Sequence, residues 1–309
     1  MSTFLVTGGA GFIGSNLAHA LVERGHAVRV LDNLATGRAQ NLDAIRDRIA
    51  FHDADLRDDE AVREAVRGCD FVLHHAAMPS VTWSVANPAE SHDVNVPGTL
   101  GLLLEARDAG GKRVVFAGSA AVYGNAPELP KVETMRPEPA SPYALHKLCA
   151  EQYGQVFSAL YGLEVVTLRY FNVFGPRQDP RSDYAAVIPR FITTMMAGGS
   201  PTIFGDGLQT RDFVHIDDVV EANLLACTRP GVAGGVFNVA GGHRITLLEL
   251  VATLNRVLGT QIEPTLAPPR PGDIVHSCAD ITAARDGLGF TPKVDLAEGL
   301  RRTIAWYRS

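Results

Sequence analysis

Short apolar runs recur along the first half of the chain, and each is followed by a stretch with helical spacing. Phe4-Leu5-Val6, Ala27–Leu31, Ile49–His52, Phe71–His74, Arg113–Phe116 and Val165–Arg169 read as strands buried on both faces. Between them, Phe12-Ile13 and Leu17-Ala18-Leu21-Val22 recur at the helical period. The pattern predicts further helices over 58–67, from Asn87-Pro88 to about Arg107, and from Tyr143 to about Tyr161. In the 87–107 stretch, Val94, Val96, Leu100 and Leu102-Leu103-Leu104 fall on more than one face, which suits a helix lying between the sheet and a partner subunit. Strands that alternate with helices predict an α/β fold, a doubly wound parallel sheet of Rossmann type with its ligand at the strand carboxyl ends.

The texture changes past Phe174-Gly175-Pro176. Elements shorten and Gly and Pro become frequent, as at Gly198-Gly199, Gly205-Asp206-Gly207, Gly241-Gly242 and Pro268-Pro269. Helices are expected at about 216–228, 246–258 and 295–308. This divides the chain into a nucleotide-binding body, 1–173, and a smaller mixed α/β substrate lobe, 174–309, with some segments of the latter returning to the first body. The stretch from Ala126 to Pro142, rich in Pro and Glu, reads as a loop.

Composition narrows the class. A chain of 309 residues with 46% hydrophobic and 20% charged residues has ample material for a core. A formal net charge of −6 argues against a nucleic-acid or anionic-membrane surface, while leaving room for a small anionic ligand held by a few local cations. Cys69, Cys149, Cys227 and Cys278 show no metal spacing and read as free thiols in a reducing compartment. His74 and His75 adjoin on a strand and so point to opposite faces, against joint ligation of a metal. No 18-residue apolar run is present, and the cytoplasm is the expected location.

Candidate chemistry begins at Thr3–Gly14, TFLVTGGAGFIG. Gly8, Gly11 and Gly14 stand at three-residue spacing between a strand and a helix. Such a unit turns tightly, admits a pyrophosphate close to the backbone, and presents the N–H groups around Phe12 and Ile13 at a helix N-terminus. The spacing is GxxGxxG and departs from the GxGxxG of many dehydrogenases. Asp32 ends the second strand about 20 residues on, where a carboxylate accepts from a ribose 2′-hydroxyl and repels a 2′-phosphate, so NAD is favoured over NADP. Arg38 lies close enough to blur that preference. Asp55 either meets the adenine or caps the helix that follows. His75-Ala76-Ala77 is small enough for a sugar to lie against backbone. Asn95 either reaches the cofactor or staples buried backbone. Ser119 lies at the end of the fifth strand, and Tyr143 and Lys147 share one helix face at i, i+4. An ammonium beside a phenol is expected to lower its pKa and make it a base near neutral pH.

These segments together resemble the extended short-chain dehydrogenase/reductases, and within them the nucleotide-sugar 4-epimerases. The carrying stretches are TGGAGFIG (7–14), DNLATG (32–37), HHAAMPSV (74–81), NVPGTL (95–100), GSAAVYG (118–124), SPYALHK (141–147), LRYFNVFGPRQDP (168–180), GDGLQTRDFVHIDDV (205–219) and RPGDIVHSCAD (270–280). The resemblance implies a catalytic triad of Ser119, Tyr143 and Lys147. It implies NAD contacts at Gly8, Gly11, Phe12, Ile13, Gly14, Asp32, Asn33, Asp55, Leu56, His75, Ala76, Ala77, Asn95, Tyr143 and Lys147. It implies UDP-sugar contacts at Ser119, Tyr143, Asn172, Val187, Arg211, Arg270, Asp273 and Ser277, with the two arginines on the diphosphate. It further implies inversion at C4 through a 4-keto sugar, no metal, and a homodimer. Dehydratases of the family carry Asp-Glu where Ala120-Ala121 stands, and epimerases restricted to UDP-glucose carry a bulky Tyr where Ser277 stands.

Overall fold

A computed structural model describes residues 1–180, 186–269 and 275–308. Seven strands form one sheet: β1 (Thr3–Thr7), β2 (Ala27–Asp32), β3 (Ile49–Asp53), β4 (Phe71–His74), β5 (Arg113–Ser119), β6 (Glu164–Tyr170) and β11 (Val236–Val239). Their order across the sheet is β11-β6-β5-β4-β1-β2-β3, and every pairing is parallel. The direction of winding therefore reverses between β1 and β4, which opens a crevice at their carboxyl ends.

The period-two geometry of a strand explains why the apolar runs are continuous. Phe4, Val6, Val28, Val30, Val115 and Ala117 join one buried cluster, while Leu5, Leu31, Val114 and Phe116 join another. Helix α1 (Phe12–Glu23) covers the first face together with α8 (Ile216–Thr228). The second face is covered by α2 (Asp59–Val66), α5 (Pro97–Asp108) and α6 (Pro142–Leu160). Before α5 come two short helices, α3 (Val81–Ala86) and α4 (Pro88–Asn95). The expected single helix from 87 to 107 is thus two. Pro97 has no N–H to continue the ladder, and the chain turns at Val96, with φ −111° and ψ −66°, before α5 restarts with Pro97 in its first turn.

The second half supplies three short strand pairs. Two are parallel, β7 (Asn172–Phe174) with β10 (Phe213–His215) and β8 (Thr202–Phe204) with β13 (Thr265–Ala267). The third, β9 (Thr210–Arg211) with β12 (Ile245–Thr246), is antiparallel. Helices α7 (Val187–Met196), α9 (Leu247–Leu258) and α10 (Leu296–Arg308) close over a third cluster built on Phe174, Phe191, Ile203, Leu250, Leu254 and Leu300. Helix α9 opens on a reciprocal cap in which Thr246 and Glu249 each accept from the other's backbone. Helix α7 went unread in the sequence. Val214, Val219, Phe237, Ala284 and Phe290 pack into the cluster around Phe4 and Val6, so the first body draws on segments from both sides of residue 173.

Candidate active site

The glycine turn sits at the crevice. Gly8 has φ +66°, and a Cβ there would stand 2.6 Å from the backbone nitrogen of Ala76, just past β4. A Cβ on Gly14 would stand 2.2 Å from the Gly8 carbonyl oxygen. Both positions require glycine for contact, and Gly8 also for its left-handed backbone. Gly11 is the N-cap of α1, with no side chain across the helix end. The first-turn N–H groups of Phe12, Ile13 and Gly14 lack intrahelical acceptors by helix geometry and are suited to an anion. This cradle fits a dinucleotide pyrophosphate.

Asp32, 7% exposed, accepts from Ala10 N at 2.9 Å and Leu34 N at 2.8 Å, which fixes its carboxylate beside the glycine turn. Burial raises its pKa, opposed by those backbone donors. Asn33 donates to Asp55 at 2.8 Å, bringing two of the proposed cofactor residues together. Asp55 also takes a two-pronged contact from Arg57, which holds its carboxyl well below the usual range. It does not cap α2. Asp58 does, accepting from Glu60 N and Ala61 N. Arg38 is ion-paired with Asp179 and is thus not a free cation for a 2′-phosphate. The side chain of Leu56 lies in the core, so only its backbone faces outward chemistry.

On the β4 side, Thr7 Oγ1 receives His75 N and Ala76 N, both at 3.2 Å, which holds His75-Ala76-Ala77 against the end of β1. Asn95 accepts from Met78 N at 2.8 Å and donates to Met78 O at 3.2 Å. Its amide is spent on stapling this loop. His74 bonds Thr7 and Thr99, and His75 stacks on Tyr170 and bonds its hydroxyl at 3.0 Å. Burial pushes the pKa of His75 down to about 3 and that of His74 well below its ordinary value, so both are neutral at pH 7.

Ser119, Tyr143 and Lys147 converge where β5 ends. Ser119 caps the short turn 120–123, accepting from Ala121 N at 3.2 Å, and its hydroxyl bonds the Tyr143 phenol. Tyr143 is placed by α6, whose N-cap Ser141 accepts from Ala144 N, and by its own N–H on Ser84 Oγ at 3.1 Å. Lys147 Nζ donates to Ala117 O at 2.9 Å and lies 4.9 Å from the Phe116 ring centre and 5.9 Å from that of Tyr143. No carboxylate pairs with it among the described residues. Burial alone lowers its pKa to about 8.

One expectation needs correcting here. Lys147 was expected to depress the Tyr143 pKa, yet burial raises it, and the opposing influence is the Ser119 hydrogen bond. Lys147 is not among the influences on the phenol, whose pKa lies above its ordinary value.

The proposed substrate residues form a second group. Arg211 donates to Thr210 O at 2.9 Å and Val275 O at 3.3 Å, and Ser277 N donates to Thr210 O at 3.1 Å, so these two share one strand edge. Asn172 N donates to Asp212 O. Val187 opens α7 and packs on the lobe's core. Arg270 and Asp273 lie outside the described residues. Asp212, unread in the sequence, is fully buried and accepts from Gly241 N at 2.8 Å and Ala279 N at 3.0 Å, joining three lobe segments. Burial raises its pKa to about 6. No helix among the described residues is long and apolar enough to cross a membrane, and no group of His, Cys, Asp and Glu among them is placed to hold a metal.

A doubly wound sheet with a glycine turn at its switch point, and a Ser-Tyr-Lys group at the carboxyl end of β5, is the layout of a dinucleotide-binding fold. Residues 4–240 match the model of the NAD dependent epimerase/dehydratase family, and the chain belongs to it. It is 42% identical over 309 residues to the UDP-glucose 4-epimerase of Mycolicibacterium smegmatis, covering 99% of this chain and 98% of that one. It superposes with a TM-score of 0.95 on the UDP-N-acetylglucosamine 4-epimerase of Methanobrevibacter ruminantium in complex with UDP-N-acetylmuramic acid, at 40% identity over 99% and 98% of the two chains. The UDP-glucose 4-epimerase of Thermus thermophilus in complex with NAD gives a TM-score of 0.89 at 40% identity over 99% of each chain. The protein is an NAD-dependent enzyme of epimerase type.

Because the Lys147 pKa is depressed in the folded state, folding releases protons between about pH 8 and the unfolded value near 10.4. Stability from this group therefore rises with pH across that window. For nucleotide-stripped protein, the difference in unfolding free energy between wild type and Lys147→Met should move in favour of wild type from pH 8 to pH 10, by on the order of 2 kcal/mol. Urea titrations at several pH values measure it, and parallel curves for the two proteins refute the burial of a charged amine.

Proposed function

We propose that the enzyme inverts C4 of a UDP-hexose, interconverting UDP-glucose and UDP-galactose and accepting the N-acetylated pair as well. The observation that carries this reading is the convergence of Ser119, Tyr143 and Lys147 at the end of β5, in the same parallel sheet whose β1 leads into the glycine turn. NAD bound there supplies a hydride acceptor that later acts as donor, and a positive ring. Tyr143 takes the proton of the 4-hydroxyl as that positive charge offsets its burial, and Ser119 holds the same oxygen. Lys147, fixed by Ala117 O, orients the dinucleotide and supports the phenolate. The 4-keto sugar turns about its phosphate linkage, and Tyr143 returns the proton on the other face. Arg211, with Arg270, holds the diphosphate while the sugar rotates, a task suited to bidentate guanidinium donors.

The nearest rival within the family is loss of water. Ala120 and Ala121 stand where dehydratases of the family place an acid and a base, and methyl groups can transfer no proton. A homodimer accompanies the proposal. Leu145, Val156, Leu160 and Tyr161 on α6 or at its end, with Leu104 on α5, expose a row of apolar side chains, Leu160 by 71%. Light scattering should give twice the chain mass, and Leu160→Glu should shift it toward the monomer. A monomeric wild type at micromolar concentration rejects the dimer.

Incubated separately with UDP-glucose and UDP-GlcNAc, the wild type should give the 4-epimer of each by NMR. Tyr143→Phe should lose at least ~3 kcal/mol of transition-state stabilisation, about 10²-fold in kcat/KM. Near-normal turnover in that variant removes Tyr143 from the mechanism.

The small side chain of Ser277 leaves room for the sugar's 2-substituent. Ser277→Tyr should cut turnover of UDP-GlcNAc at least tenfold while UDP-glucose changes little. Equal losses on the two substrates would show that the residue does not face that substituent.

A further inference from the structure

Glu151 lies one turn beyond Lys147 and two beyond Tyr143, on the same face of α6. Its carboxylate is 3% exposed and takes two parallel bonds from Arg169 of β6, Nε at 2.9 Å and Nη2 at 2.6 Å, while Arg169 is itself 3% exposed. The third arm of Arg169 donates to the Tyr123 hydroxyl at 2.8 Å. Tyr123, 1% exposed, then donates to Asn238 Oδ1 at 2.7 Å. That bond fixes the orientation of the Asn238 amide, whose Nδ2 donates to Lys131 O at 3.0 Å and Asp280 O at 3.2 Å.

The chain of bonds is directional throughout. A guanidinium only donates and a carboxylate only accepts, so no member can reverse its role without leaving a buried partner unpaired. Its members also sit close in sequence to the site. Tyr123 follows Ser119 by one helical turn, Glu151 follows Lys147 by one, and Asp280 follows Ser277 by three residues. A buried ion pair is weak evidence for stability, because apolar side chains of equal volume often serve as well. What such a pair adds is a fixed geometry.

We infer that Glu151, Arg169, Tyr123 and Asn238 form a positioning network that holds the Ser119 turn, the Tyr143/Lys147 helix and the Ser277 segment in one register. They touch neither substrate nor cofactor. They act through the residues that do, and the inference rests on the catalytic reading given above for those residues. A misplacement of about 1 Å in a reacting group costs on the order of 10²-fold in rate. Loosening one joint should therefore show in kcat before it shows in binding.

Tyr123→Phe keeps the ring and deletes only the hydroxyl. Measured in the nucleotide-loaded enzyme well below its melting temperature, kcat for UDP-hexose epimerisation should fall at least tenfold, with KM within about threefold of wild type. Glu151→Gln keeps the shape of the other joint and should give the same split, so a variant that fails to fold leaves a second to decide. A purely structural network would lower the melting temperature and leave kcat of the folded enzyme unchanged, and that result overturns the inference. Wild-type activity with an inactive Tyr143→Phe and a normal Tyr123→Phe defeats this inference alone. Should the wild type turn over no UDP-hexose, the proposed reaction fails separately, and the Lys147 pKa read by heteronuclear NMR decides the positioning: a shift in Tyr123→Phe supports it, and values equal to wild type in both variants overturn it.

Discussion

The site depends on one close approach, that of the turn after β1 to the chain leaving β4. Two parallel strands lie side by side, and the connections leaving them depart to opposite faces of the sheet. At that divergence the backbone of Gly8 lies against His75 and Ala76 with no space for a methyl group. Thr7 ties the two chain ends together through its hydroxyl. The approach serves binding because it leaves the first turn of α1 pointing its N–H groups into the crevice, where partial positive charge from the helix favours a diphosphate. An acidic protein can thus hold an anionic ligand without a basic surface.

Desolvation governs the chemistry across the crevice. Four ionisable groups, His74, His75, Tyr143 and Lys147, are packed together, and burial favours the neutral form of each. The histidines yield completely. Lys147, lowered by burial to about 8, is still mostly protonated at pH 7, with its ammonium on the Ala117 carbonyl and near the Phe116 ring. Tyr143 keeps its proton. On the proposed reaction, a cationic ring beside the phenol would offset that burial, and proton removal would then depend on the oxidised dinucleotide being bound.

Much of this was legible in the sequence, and the reasons are specific. Six of the sheet's seven strands were readable because strands buried on both faces appear as continuous apolar runs, and the glycines mark a contact no other residue tolerates; β11, four residues at the sheet edge, went unread. The i, i+4 spacing of Tyr143 and Lys147 is common on helices, and it singled them out only in company with the glycine turn, Asp32 and Ser119. The 87–107 stretch misled because its apolar positions continue through Pro97 while its backbone ladder cannot. Asp55 was weighed as a cap for the helix that follows, and only the loop geometry shows that Asp58 takes that place. Helix α7 and the two-residue strands of the lobe were hidden because short elements are set by tertiary contacts and carry little periodic signal of their own. Arg169 was the least legible. An arginine inside an apolar strand reads as an edge position until its partner, 18 residues away on α6, is known.

The lobe shows how the body and the proposed substrate residues are kept in step. Asp212 is buried and held by backbone donors, which is costly unless each is well placed. Its pKa near 6 records the residual penalty: the folded state favours the proton between about pH 4 and pH 6, and stability from this group declines as pH rises through that range. A group that weakens the fold at neutral pH persists for what it fixes. Here it clamps the carbonyl-linked pair Arg211 and Ser277 to the loop at Gly241, while Asn172 closes on the same residue from the body side. Within a family that includes both epimerases and dehydratases, the Ser-Tyr-Lys group cannot by itself select the outcome, since each reaction begins by oxidising C4. Selection falls to the neighbours. On the proposed reaction, methyl side chains at 120 and 121 would withhold a second proton transfer, and residues such as Arg211 would hold the diphosphate while the sugar turns.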